Sequence, residues 1–156
     1  MAFGPTVTSG DSHPQLTEKL IAGLYTEAML LADEARSYFD DFGRQARNAM
    51  TPIARVGFSC ESLKVTTRLM HVVAWLLAQR ASLAGRGESV PPLAAPTASD
   101  EASFMTLPEE AQELVAASID LYARVLRLEA RMGSPRPDIT KPNPALALRQ
   151  RLERAF

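Results

Sequence analysis

The chain has 156 residues, of which 46% are hydrophobic and 22% charged, with a formal net charge of −1. That balance excludes a disordered polyelectrolyte and is enough for one domain with a sizeable core. A single cysteine, Cys60, excludes an internal disulfide and points to a reducing, cytoplasmic setting. The first 15 residues lack the basic and apolar regions of a secretory leader. No 18-residue apolar run is free of charge, so membrane insertion is not expected. The near-neutral total hides an asymmetry. Residues 124–156 carry eight basic and three acidic side chains (+5), and the remaining residues carry nine and fifteen (−6).

Residues 1–14 hold two glycines and two prolines with little to bury, and read as a flexible arm. Leu16, Leu20, Leu24, Ala28, Leu31, Ala35, Tyr38 and Phe42 then recur every three or four positions, which predicts an amphipathic helix. Arg36 and Asp40 are spaced to pair across one turn of it. A second helix starts either at Pro52, behind the capping Thr51, or at Ser59 after an irregular corner; the sequence leaves both open. From Leu63 to Ala84 it runs without proline or glycine. Its apolar residues, including Leu69, Met70, Val72, Trp75, Leu76 and Leu77, cover more than half of a helical wheel. A surface helix carries a narrower stripe, so this one is expected at the centre of a bundle, ending where Gly85 can adopt a left-handed cap.

Residues 85–105 form a long loop with three prolines, of a length that is usually functional or disordered. Thr106-Leu107-Pro108-Glu109 resembles a capping box for a third helix. In that helix Leu114, Ser118, Leu121, Val125, Leu128 and Met132 follow the 4-3 rhythm of a packing seam, and Gly133 and Pro135 mark its stop. The tail holds four prolines and then Leu148, Leu152 and Phe156, four apart, with Arg149, Arg151 and Arg154 between them. The expected fold is all-α: an antiparallel three-helix bundle with a long loop between helices 2 and 3 and a short C-terminal helical appendix. The expected domain plan is a flexible arm over 1–14, a bundle over 15–133, and a proline-containing tail over 134–156.

No pattern in the chain assembles a reaction centre. Cys60 and His71 lie eleven positions apart on one helix, about 16 Å along its axis, too far to share a metal or form a nucleophile–base pair. Cys60 reads as a small buried residue and His71 as a half-buried one with a local partner. The carboxylates Asp33, Glu34, Asp40 and Asp41 read as a solvated helix face. No glycine-rich phosphate loop follows a strand. No cofactor, no metal and no enzymatic activity are expected. Thr66, Thr67 and Arg68 interrupt the apolar wall of the second helix. Either the hydroxyls bond back to the preceding turn while Arg68 snorkels outward or pairs with Glu61 or Asp120, or the three form a polar notch where a partner docks.

The segment Glu61–Ala81 carries a further signal. Its Glu61-Ser62, Thr66-Thr67-Arg68-Leu69-Met70, Trp75-Leu76-Leu77 and Gln79-Arg80-Ala81 resemble the RcdA-like family of alphaproteobacteria, named for the regulator of CtrA degradation. Gly43-Arg44-Gln45-Ala46 adds a weaker match, and the likeness extends over about Leu16 to Met132. The resemblance implies three-helix bundles that form homodimers and act as non-enzymatic adaptors. Such adaptors help a ClpXP-type protease, through a primed receiver-domain adaptor, to take cell-cycle regulators as substrates. The expected partners are therefore protease substrates, other adaptors and a second copy. Arg68, Leu148, Arg149, Leu152 and Phe156 are the candidate partner-binding residues, and Ile21, Tyr25, Leu30 and Phe39 supply apolar surface beyond the first helix's core stripe. The competing reading is a nucleic-acid module using the basic tail, but its arginines alternate with leucines rather than with stacking aromatics.

Overall fold

A computed structural model describes residues 12–87 and 89–133. The elements are α1 (Ser12–Ser37), a π-helical turn (Tyr38–Phe42), α2 (Gly43–Asn48), α3 (Pro52–Leu83), α4 (Glu101–Met105) and α5 (Glu109–Gly133). Among the described residues there is no strand, and α1, α3 and α5 form the expected all-α bundle. α1 continues through the π turn into α2. The wider turn shows in the bond from the Gly43 amide to the Tyr38 carbonyl, five residues back. Gly43 is required there, because a Cβ would lie 2.8 Å from Cζ of Phe58. The π turn also moves Asp40 out of step with Arg36. Arg36 pairs instead with Asp33 at 3.1 Å, while the Asp40 carbonyl accepts from Arg44.

α3 begins at Pro52, which settles the start that the sequence left open: the Thr51 hydroxyl accepts from the Ala54 amide at 3.3 Å. Its far end is closed by Gly85 at φ 70°, with the Arg86 amide bonded to the Ala81 carbonyl and the Gly85 amide to that of Ser82. Contacts fix the helix directions. Phe39 stacks edge-on against Phe58, and the Arg80 guanidinium lies 5.0 Å above the Tyr25 ring, so α1 and α3 are antiparallel. Glu27 pairs with Arg124, and Leu31 and Glu34 share a cleft with Glu113, Leu114 and Ala117, so α1 and α5 are antiparallel too. Because both are antiparallel to α1, α3 and α5 run the same way, and Arg68 of one reaches Ser118 of the other. The antiparallel packing expected of the bundle therefore belongs to α1 against each neighbour.

Two parallel helices need a connection that travels back along the bundle, which is why the segment between α3 and α5 is long. It is not a loose loop. Asp100 caps α4 by accepting from the Ser103 amide, a short helix the sequence reading placed in loop. Thr106 ends α4, its hydroxyl donating to the Ser103 carbonyl, so the anticipated capping box does not form and α5 starts at Glu109.

The core joins Leu24, Ala28 and Ala35 of α1, Phe58, Val65, Leu69, Val72, Trp75 and Leu76 of α3, and Leu114, Val115, Leu121, Tyr122, Val125 and Leu128 of α5. Three assignments differ from expectation. Ile21 is wholly buried, whereas Leu16 and Leu20 are exposed. The register set by Tyr25 and Arg80 brings the last turn of α3 opposite α1 near Ala22, so the turns before it have no α3 to pack on. Leu63, Met70 and Leu77 of α3 are exposed rather than core, as is Phe42 of the π turn. Cys60 is exposed as well.

Candidate interaction surface

Two features stand out: a buried polar spine that holds the return segment, and an apolar groove on the opposite side of α3. The spine begins at Arg68, only 3% exposed. Its guanidinium donates to Ser118 Oγ at 2.6 Å, to the Thr97 carbonyl at 3.0 Å and to Ser99 Oγ at 3.4 Å. Ser99 in turn donates to Glu61 Oε2 at 2.7 Å, and the Asp100 amide and Lys64 ammonium reach Glu61 Oε1. Further along, the Tyr122 hydroxyl donates to the Ala94 carbonyl and the Leu93 amide to Glu129, both at 2.6 Å. Side chains of α3 and α5 thus satisfy main-chain groups of the return segment, which no ladder partner reaches.

Glu61 is fully buried. Burial works to raise its carboxyl, but the Lys64, Ser99 and Asp100 donors outweigh it and hold the group below the ordinary carboxylate range. Burial lowers the Arg68 guanidinium, opposed by the charge of Glu61. Its bonds go to Ser118, Thr97 and Ser99, so Arg68 bonds directly with neither Glu61 nor Asp120. Ser99 bridges it to Glu61, and Asp120 pairs with Arg124 at 2.9 Å. Instead of lining an open notch, the guanidinium faces inward and ties the return segment to the bundle. Thr66 does bond back to the Ser62 carbonyl, as a threonine within a helix can. Leu148, Arg149, Leu152 and Phe156 lie outside the described residues.

The groove runs between α1 and α3, encloses about 860 Å³ and is lined mainly by apolar side chains, among them Met29, Phe39, Leu63, Met70, Val73 and Leu77. Along α3 the row Val56, Leu63, Met70, Leu77 repeats every seven residues, with exposures of 63%, 66%, 65% and 45%. Heptad spacing keeps one seam of a helix facing a partner helix, and here the described residues do not cover it. The breadth of the apolar wall places the later members of this row in the core, whereas the structure exposes them; the seven-residue spacing is the signal that separates them. Of the surplus residues on α1 and the π turn, Leu30 is exposed, Tyr25 and Phe39 are partly buried and Ile21 is core. Among the described residues, no group of three His, Cys, Asp or Glu side chains could hold a metal ion, and no helix is long and apolar enough to cross a membrane.

Comparison with known proteins places these features. A search of curated proteins finds no match. Among solved structures, the crystal structure of RcdA from Caulobacter crescentus CB15 is similar, with 35% sequence identity and a TM-score of 0.61, over 76% of this chain and 96% of that one. The family model described as "Protein of unknown function (DUF1465)" matches residues 12–156, nearly the whole chain. With the family model matching residues 12–156 and a solved structure 35% identical over 76% of the chain, the chain belongs to this RcdA-like DUF1465 family.

Proposed function

We propose that the chain is a non-enzymatic adaptor that helps deliver cell-cycle regulatory proteins to a ClpXP-type protease through protein–protein contacts. The observation that carries the reading is the apolar α1–α3 groove, built on two long helices and open along its length. Exposed apolar surface of that extent on a folded body marks a place for another protein, and the adaptor role is what the likeness to RcdA suggests. In this reading residues 15–133 form the body, and the row Val56–Leu77 receives a second copy of the chain or a partner helix. The tail, residues 134–156, makes a separate contact through Leu148, Arg149, Leu152 and Phe156. Apolar anchors four apart suit helix-in-groove binding. Two contacts on one chain raise the effective concentration of one partner near the other. Arg68 contributes from inside, by fixing the return segment against the body.

Reconstituted proteolysis tests this directly. With a ClpXP-type protease and the receiver-domain adaptor present, adding the chain should accelerate turnover of at least one cell-cycle regulator, and Met70→Glu should remove the acceleration without unfolding the chain. Unchanged turnover of every regulator tried would overturn the reading. Light scattering tests the second copy: a homodimer has twice the 17.0 kDa chain mass, and Met70→Glu should shift it to the single-chain value.

A further inference from the structure

A second groove lies on the other side of α1, where the end of α1 and the π turn pack against the first turns of α5. It encloses about 380 Å³ over Leu31, Tyr38, Leu114 and Ala117. Its rim separates it from the α1–α3 groove. Glu34 stands on the α1 wall, and Glu110 and Glu113 stand on the α5 wall. Among the described residues, the ion pairs join Arg36 with Asp33, Lys64 with Glu61, and Arg124 with Glu27 and Asp120. The three rim carboxylates are in none of them. The charge of Glu110 reaches into the groove: burial, and then that charge, push the Tyr38 hydroxyl above its ordinary range.

An apolar slot between two carboxylate walls is complementary to a helix whose apolar face is bordered on both sides by cations. The chain contains such a segment outside the described residues, PALALRQRLERAF at 144–156. Wound at about 100° per residue, Leu148, Leu152 and Phe156 would share one face. Arg149 and Arg151 would border that face on opposite sides, with the single carboxylate Glu153 one turn past Arg149 on its side, and Gln150 would point away from it. The connection is long enough. From Glu113 to the end of α5 at Gly133 is 20 residues, about 30 Å of helix. Residues 134–144 span up to about 36 Å when extended.

We infer that residues 144–156 dock as an amphipathic helix in the acidic α1–α5 groove of their own chain. Leu148, Leu152 and Phe156 fill the slot while Arg149 and Arg151 meet the carboxylates of its two walls. The docked tail is withheld from other proteins, and a partner must outcompete the groove to take it. That consequence rests on the tail contact proposed above; the docking itself does not.

Paramagnetic broadening in the full chain tests the inference. A nitroxide is attached at Gln150→Cys in a Cys60→Ser background, and ¹⁵N amide intensities are compared before and after the label is reduced. The amides of Leu31, Leu114 and Ala117 should lose at least half their intensity, and that loss should shrink several-fold in about 0.5 M salt as the charges are screened. Glu34→Lys with Glu113→Lys, both on the rim, should abolish the broadening while the melting curve stays in place. Adding Arg149→Glu and Arg151→Glu to that variant should restore it. Uniform broadening would overturn the inference. So would broadening centred on Met70 and Leu77, or broadening seen only between differently labelled copies. Groove-specific broadening beside an inactive proteolysis assay would refute the adaptor reading and leave the docking standing; the opposite pair of results would do the reverse.

Discussion

Replacing Arg68 with alanine is the sharpest test of how the return segment is held. The side chain is buried, and two of its bonds are short and reach buried or part-buried acceptors, Ser118 Oγ at 2.6 Å and the Thr97 carbonyl at 3.0 Å. A hydrogen bond with a charged partner contributes about 1.5–3 kcal/mol, so losing both costs roughly 3–6 kcal/mol. The buried carboxylate is not left uncompensated, because Glu61 keeps the Lys64 ammonium at 2.8 Å when its Ser99-bridged link to Arg68 is lost. For a domain of this size each kcal/mol moves Tm by about 3–5 °C, so the midpoint should fall by roughly 10–30 °C. Thermal unfolding followed by circular dichroism reads the midpoint. Hydrogen exchange reads the cause, because the Leu93 and Asp100 amides, bonded to Glu129 and Glu61, should exchange faster than core amides of α5. Arg68→Lys keeps the charge but loses the fork, and should fall between wild type and alanine. Thr66→Ala, at an exposed hydroxyl bonded only within its own helix, should change stability by no more than about 0.5 kcal/mol. A Tm drop below about 3 °C for Arg68→Ala, or unaltered exchange in the return segment, would refute the reasoning.

Other outcomes follow from the same geometry. Trp75→Ala and Leu76→Ala, both in the core, should each cost about 2–5 kcal/mol in a denaturant melt. Leu77→Ala should cost under about 1 kcal/mol, because nearly half of that side chain is already in water; equal costs at positions 76 and 77 would contradict the burial pattern. Acid should loosen the spine. The Glu61 carboxyl is depressed in the folded chain, so its stabilising contribution is full above the unfolded-state value of about 4.3 and is lost as pH falls through the lower folded value. Glu61→Gln should flatten that acid limb, and a stability profile identical to wild type between pH 5 and pH 2 would contradict it. Gly43→Ala should destabilise the junction of α1, the π turn and α2, since its Cβ would meet the Phe58 ring and the Tyr38 carbonyl; an unchanged melt would show that Phe58 moves aside freely.

Local chemistry was legible in the sequence wherever a residue acts on its own neighbours. Thr51 with Pro52 carried one of the two possible starts of α3, and Gly85 marked its stop, because capping depends on a few consecutive backbone groups. The 4-3 rhythm of Leu114, Ser118, Leu121, Val125 and Leu128 identified the buried face of α5, because helical periodicity is a property of one helix. The breadth of the apolar surface on α3 was legible too, but not its division. Leu69, Val72 and Leu76 became core while Leu63, Met70 and Leu77 became the wall of a groove, because only the position of neighbouring helices decides which side of an all-round apolar helix is covered. Ser118 read as one more seam position, and its role as the acceptor for Arg68 needed a residue fifty positions away to be brought beside it. The direction of α5 was beyond local reading for the same reason. A long connection permits either orientation, and the choice of parallel packing rests on tertiary contacts. Glu61, Arg68, Tyr122 and Glu129 bind the main chain of the return segment, which turns what composition describes as a loop into part of the fold.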